Sequence, residues 1–348
     1  MSSEAKSNSG GTPGVGPTPE LIFQTLTAYQ RTEALRAGIE LDLFRAVGEG
    51  PGDVASLARR CKASERGIRI LCDFLAISGF LVKTDGRYAN SEVSALFLDP
   101  RSPASMAATA GFLGNPMLRE PFLRLADIVR TGRTILPGQG SVEPDNPAWV
   151  DFAHSMAPMM APAATQLAPI VLAGKRGTIS VLDLAAGHGL FGIEVAKQNR
   201  AAHITAIDWA AVLEVARANA RQAGVEDRYV TRPGSAFDVE FGGPHDVVLL
   251  TNFLHHFDTA TCTGLLKKAR AALKRGGIVA ALEFVPNDDR ISPPMPAGFS
   301  LTMLATTEAG DAYTLREYEA IYRAAGFTGV QGHALTAGPH TVVVGRAA

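Results

Sequence analysis

The 348-residue sequence predicts an α/β protein in two parts: a mainly α-helical N-terminal domain and a C-terminal domain built on a doubly wound parallel sheet. Three observations predict it. After the glycines at 174 and 177, strand-like apolar runs alternate with amphipathic helical runs, the pattern of strands covered on both faces. Between 53 and 100 the chain follows a helix, turn, helix, hairpin rhythm. The length also exceeds the roughly 250–300 residues at which single cores stop growing.

Composition narrows the function classes. Apolar residues make up 46% and charged residues 19%, a globular balance. The formal net charge of −1 is a poor match to a protein that lives by phosphate contacts. No apolar run reaches the roughly 18–20 residues of a membrane span, and residues 1–16 lack the apolar core of a secretory signal. Three cysteines, Cys61, Cys72 and Cys262, are too few and scattered for a disulfide framework. The expectation is a cytoplasmic protein with no nucleic-acid or membrane partner.

Residues 1–16, rich in Gly, Ser and Pro, are expected to be a disordered tail. From Pro17 the spacing is helical, first through Leu21, Ile22, Leu26 and Tyr29, then through Leu35, Ile39, Leu43 and Phe44. Asp53 and Ser64 read as caps of the next two helices, the second carrying Ile68, Leu71, Cys72 and Leu75 on one face. Strand 80–82, the Asp85-Gly86 turn and strand 87–89 complete a winged helix within a domain over 17–104. Residues 50–90 carry seven basic and four acidic side chains, a mild excess that favours a protein–protein module over a DNA reader. Residues 105–174 form an Ala- and Met-rich helical linker. Its Trp149, Phe152, Met156, Met159 and Met160 suit helix-packing core, or the wall of a pocket for a flat apolar ligand.

In the domain at 175–348, strands are expected at 179–184, 204–207, 229–231, 247–250 and 278–282, with helices at 191–198, 212–223, 262–273 and 315–325. Two further runs, 330–334 and 341–344, are separated by a Gly338-Pro339 turn, giving seven strands that end in a reversed hairpin. The first strand leads into Asp183-Leu184-Ala185-Ala186-Gly187-His188-Gly189, and Gly187, Gly189 and Gly192 fit G-x-G-x-x-G. Asp208 closes the second strand, where an acid can hold ribose hydroxyls. The loop alone fits a nicotinamide dinucleotide. Asp183, in a strand that dinucleotide folds keep apolar, suits a ligand with its own positive charge.

Asp183, the glycine loop, Asp208 and the terminal hairpin together resemble the Rossmann-like class I S-adenosylmethionine-dependent methyltransferases. The segment Leu250-Thr251-Asn252-Phe253-Leu254-His255-His256-Phe257, with Cys262 seven positions after His255, resembles the plant-type small-molecule O-methyltransferases, such as the caffeate and acetylserotonin enzymes. The likeness spans nearly the whole chain, because that family also carries an N-terminal winged-helix dimerisation domain. It implies a homodimer that methylates a small, aromatic hydroxyl metabolite in secondary metabolism, with S-adenosylmethionine as cofactor. His255 matches the family's base and Glu283 the carboxylate that orients it. The chemistry agrees: a phenol of pKa near 10 must lose its proton to a group such as His, an effect of roughly 10²–10⁴-fold.

The resemblance and the spacing assign Asp183, Gly187, Gly189, Asp208, Ser235, Ala236 and Thr251 to the cofactor. They assign Phe152, Met156, Met160, His256, Phe299 and Met303 to the acceptor pocket. Cys262 reads as a small buried hydrophobe. No metal is expected, because neighbouring histidines rarely face the same way and no third ligand is suitably spaced. The chain departs from the family at Ala185-Ala186 (usually Gly-Gly), at Ser235 (usually Asp), at Thr251 (Lys in some members) and at Ala312 (a second pocket Glu). N- or C-methylation on the same fold, a nicotinamide oxidoreductase and a silent ligand-binding regulator are the alternatives.

Overall fold

The computed structural model describes residues 17–348; the expected tail at 1–16 lies outside them. The chain divides into two compact units that meet between Ser102 and Pro103.

The first unit is helical with one hairpin. Helices Glu20–Leu26, Ala28–Glu40 and Leu43–Gly48 come first. The periodic run through Leu35, Ile39, Leu43 and Phe44 is broken, because Asp42 takes a left-handed φ of 53° and starts a new helix. Helices Val54–Arg60 and Glu65–Ile77 start as expected: Asp53 accepts from Ser56 N–H and Ser64 from Gly67 N–H. Strands β1 (Leu81–Thr84) and β2 (Arg87–Asn90) pair antiparallel across Asp85-Gly86, and helix Glu92–Phe97 follows. Phe44, Leu57, Ile68, Cys72, Leu75 and Tyr88 form the core. Tyr88 lies fully inside because its hydroxyl donates to Asp73 at 2.7 Å, and Asp73 also takes Lys83 and Arg69.

The second unit carries a seven-stranded sheet. Its strands are β3 (Ile179–Leu184), β4 (Ala202–Asp208), β5 (Tyr229–Pro233), β6 (His245–Thr251), β7 (Leu273–Phe284), β8 (Phe327–Ala334) and β9 (His340–Ala347), in the order β5-β4-β3-β6-β7-β9-β8. All neighbours are parallel except β9, which runs antiparallel to both β7 and β8. This is the expected topology with its reversed hairpin. Strand β7 starts five residues earlier than the apolar run suggests, and its register with β6 shifts between His245 and Val247.

Helices Ala157–Leu172, Leu190–Gln198 and Ala210–Gln222 cover one face of the sheet, and Thr259–Ala271 and Leu315–Ala324 the other. The helices from Thr109 to Leu172 belong to this unit, and Met160, Leu167 and Val171 pack directly on its strands. Helix Pro294–Thr306 was not expected. Its prolines look like loop punctuation, yet they sit in the first turn, where an amide hydrogen has no intrahelical partner.

The order of strands reverses between β3 and β6. Outside the carboxyl ends of those two strands lies the crevice in which open α/β sheets bind ligands. The glycine loop follows β3 and the histidine pair follows β6, so topology alone brings them to one edge. Leu167, in the helix Ala157–Leu172 that packs on one face of this sheet, is completely buried. Leu167→Ala is expected to lower stability by roughly 2–5 kcal/mol in urea unfolding followed by circular dichroism.

Candidate active site

Strand β3 delivers the chain into a tight loop. Ala185, Gly187 and Gly189 all have positive φ, of 51°, 55° and 75°. At Gly189 a side chain is excluded twice over, by the φ and by Tyr229, whose hydroxyl would lie 2.6 Å from a Cβ. Two carboxylates fasten the loop from below. Asp208, at the end of β4, accepts from Gly187 N–H at 2.8 Å and Trp209 N–H at 2.7 Å. Asp183 is fully buried and accepts from Gly192 N–H at 3.1 Å. Its other oxygen, Oδ1, has no hydrogen-bond partner among the described residues. Burial raises Asp183 to about 8, and the neighbouring Asp208 adds to the rise; burial raises Asp208 itself to about 6.

The second half of the site follows β6. Asn252 turns the chain with a φ of 53°, and a short helical turn, Leu254–His256, carries both histidines. Glu283 reaches them from the end of β7. Its Oε1 accepts from Phe253 N–H at 3.1 Å and Leu254 N–H at 2.9 Å, and its Oε2 lies 2.5 Å from His255 Nδ1. Both residues are buried. Burial pushes His255 down to about 3 and Glu283 up to about 8, so the surroundings favour the form in which neither is charged. When that pair loses one proton, Nδ1–H donates to the carboxylate and the Nε2 lone pair is left free.

A row of rings connects the two halves. His188, in the glycine loop, stacks on Phe152 at 5.9 Å between centroids. Phe152 meets Trp149 edge-on at 5.6 Å, and Trp149 meets His256 at 5.5 Å. His256 lies 4.4 Å from His255, which meets Phe299 at 4.9 Å. Phe299 stacks on Phe284 at 3.9 Å. The unmatched buried atoms collect here too: His188 Nε2, Asn252 Oδ1 and His256 Nδ1 have no partner among the described residues.

Comparison with known proteins fits this geometry. The profile of an O-methyltransferase domain matches residues 170–328, and that of an O-methyltransferase dimerisation domain matches residues 23–100. The 3-hydroxy-5-methyl-1-naphthoate 3-O-methyltransferase of Streptomyces sahachiroi is 30% identical over 94% of each chain. The chain belongs to the O-methyltransferase family. A crystal structure of a candidate O-methyltransferase from Nostoc punctiforme is 47% identical, with a TM-score of 0.92 over 95% of this chain and all of that one. The fold is shared with human N-acetylserotonin methyltransferase in complex with SAM, at 24% identity and a TM-score of 0.81 over 94% of this chain and 96% of that one. The protein is an S-adenosylmethionine-dependent O-methyltransferase of a small metabolite.

The residues present fit the O-methyltransferase cofactor. A glycine loop with three positive-φ positions, a carboxylate at the end of β4 and an unpartnered carboxylate oxygen on Asp183 suit a ribose and a cationic ligand. Several expected positions take a different form. Asp183 lies beneath the loop and braces it. Ser235 uses its hydroxyl to accept from Phe237 N–H at 3.1 Å, because the turn after β5 leaves that amide without another acceptor. Ala236 and Thr251 are buried beside the strand ends. Met156, Met160 and Met303 are almost wholly buried, whereas Phe152 and Phe299 keep partial exposure and meet the histidines. The two histidine rings do lie together, contrary to the expectation for neighbours, because the short turn brings both inward. Cys262 is buried as expected and donates to Leu254 O at 3.1 Å.

Sequence reasoning gave His188 no role and left Trp149 undecided between core and wall. The helical spacing of Trp149 with Phe152 marked the stretch, but not its contact with His256.

Asp183 also tests the electrostatics. Its folded pKa lies above the unfolded value of 3.8, so its contribution to stability is present at low pH and lost as pH rises toward about 8. Asp183→Asn keeps an acceptor for Gly192 N–H without the charge. The melting temperature of the variant relative to wild type should therefore increase from pH 5 to pH 8. A difference that is flat or falls over that range overturns the assignment.

Proposed function

We propose that the enzyme methylates a hydroxyl group on a flat aromatic metabolite, with His255 as general base and Glu283 as the residue that orients it. The observation that carries the reading is the His255–Glu283 contact of 2.5 Å, set at the end of a row of rings. S-adenosylmethionine, when bound, supplies a methyl group on a sulfonium, and its transfer to a hydroxyl oxygen releases one proton. His255 Nε2 takes that proton as the oxygen–carbon bond forms. Glu283 holds Nδ1–H, fixes the ring and balances the imidazolium that results. Gly187, Gly189 and Asp208 hold the cofactor, with Asp183 supporting them and Ser235, Ala236 and Thr251 around it. Phe152, Met156, Met160, His256, Phe299 and Met303, together with Trp149, form the acceptor wall. The hydroxynaphthoate in the name of the Streptomyces relative is a flat acceptor of this kind.

His255→Ala should lower kcat by about 10²–10⁴-fold while S-adenosylhomocysteine binds as before in calorimetry. Glu283→Gln should do the same, because its amide donates to Nδ1 and leaves the proton on Nε2. In the wild type the pair must lose a proton to act, and burial raises Glu283 toward about 8. The acid limb of kcat/KM for the acceptor should therefore lie above the ordinary imidazole value near 6.5. Full turnover in His255→Ala, or a limb well below 6.5, would sink the base assignment.

The enzyme is further read as a cytoplasmic homodimer. Among the described residues no helix is long and apolar enough to cross a membrane. In the region matched by the dimerisation profile, Phe23, Leu26 and Tyr29 are 63–68% exposed, an apolar face that a second copy would cover. Light scattering should give twice the chain mass, and Phe23→Asp combined with Leu26→Asp should shift the protein to monomer. A wild-type monomer at micromolar concentration would refute the dimer.

A further inference from the structure

His188 has a defined tautomer and an unused donor. It stands in the glycine loop between two glycines of positive φ and is 1% exposed. Its Nδ1 accepts from Leu190 N–H at 3.2 Å, at the start of helix Leu190–Gln198, where Gly189 offers no capping side chain. A neutral imidazole that accepts at Nδ1 carries its proton on Nε2. Burial keeps the ring neutral, pushing it down to about 4. Nε2–H therefore points away from the helix as a donor, and it has no partner among the described residues. The ring is held in place by Phe152 on one side and by Phe191, at 5.5 Å, on the other, and His188 O accepts from Asn219 at 2.8 Å.

A buried donor left unmatched costs roughly 1–3 kcal/mol, so a ring fixed by this many contacts is poorly explained as packing alone. Phe152, which it stacks against, also lies 3.4 Å from where a Gly187 Cβ would be, so the donor sits where the glycine loop meets the ring row. The partially positive start of helix Leu190–Gln198 lies on the Nδ1 side of the same ring, close enough to favour an anionic acceptor at Nε2 over a neutral one.

We infer that His188 is a ligand-binding residue whose Nε2–H donates to a carboxylate carried by a ligand of the active site. Two sources share that chemistry: the methionyl carboxylate of the cofactor, and a carboxyl group on the methyl acceptor. The inference rests on the methyltransferase reading of the site, and binding of S-adenosylhomocysteine by the wild type checks that reading separately.

Three variants separate the donor from the other duties of the ring. His188→Phe keeps the stack and removes both nitrogens. His188→Gln places an amide near the position of Nε2 and loses the Nδ1 acceptor. His188→Asn keeps an acceptor for Leu190 N–H but cannot reach as far as Nε2. Calorimetry with S-adenosylhomocysteine and with 5′-methylthioadenosine, which lacks the amino-acid tail, reads the cofactor source. Relative kcat/KM for 3-hydroxy-2-naphthoate and 2-naphthol reads the acceptor source. If the cofactor supplies the carboxylate, Phe and Asn at 188 weaken S-adenosylhomocysteine at least tenfold, Gln weakens it less than threefold, and methylthioadenosine is unchanged in all three. If the acceptor supplies it, S-adenosylhomocysteine binding is unchanged and the preference for the naphthoate falls at least tenfold in Phe and Asn but not in Gln. The inference is overturned if both nucleosides weaken together, if Gln is as damaged as Phe while Asn is spared, or if no variant changes either ratio. Thermal melting of each variant confirms that it is folded.

Discussion

The contacts of one buried carboxyl, Glu283, hold the candidate active site together. Its Oε1 takes two backbone amides from the turn after β6, which ties the end of β7 to the histidine turn. The same turn presents His255 to Oε2. Cysteine 262 closes the turn from behind through Leu254 O, and Tyr313 holds Phe257 O at 2.6 Å. His255, the proposed base, is thus held by a strand end, a buried carboxyl and the helix that carries Cys262. A preorganised base of this kind costs little reorganisation at the moment of transfer.

The cost of such positioning is charge without water. Asp183, Asp208 and Glu283 stand at the carboxyl ends of β3, β4 and β7, and burial raises all three. A cationic cofactor is a natural counterpart to acids held this way, because it favours their ionised forms as it binds. Backbone amides at Gly187, Gly192 and Leu254 already oppose the rise in part. The site is therefore arranged for a ligand of positive charge, whose arrival would favour the ionised forms that burial alone disfavours.

Much of this was legible in the sequence because it is periodic or local. Strand and helix runs repeat along the second unit, Asp53 and Ser64 announce the helices they cap, and His255 with Cys262 carries a spacing that survives without coordinates. Glu283 was reachable through the family resemblance, which implies a carboxylate after this strand. The contacts that no period encodes were not legible. Asp42 splits a run whose apolar spacing continues across it. Pro294 and Pro296 hide a helix behind residues that usually end one. Ser235 accepts a neighbouring amide through its hydroxyl, a contact that no spacing announces.

Trp149 shows where local reading stops. Its spacing with Phe152 and Met156 defines a helix face, and any such face is equally suited to core or pocket. What ties it to the histidine turn is a residue 107 positions later: His256 is turned inward by the short helix after β6 and meets Trp149 edge-on. The indole nitrogen donates to Ser141 O at 2.9 Å, so its ring plane is set by the loop before the helix. A flat acceptor lying on that ring would inherit the same orientation. The angle at which its hydroxyl meets His255 is then governed by Ser141 and the turn after β6 as much as by the histidine itself. On the proposed reading, the two loops that fix this indole orient the acceptor together with the proposed base.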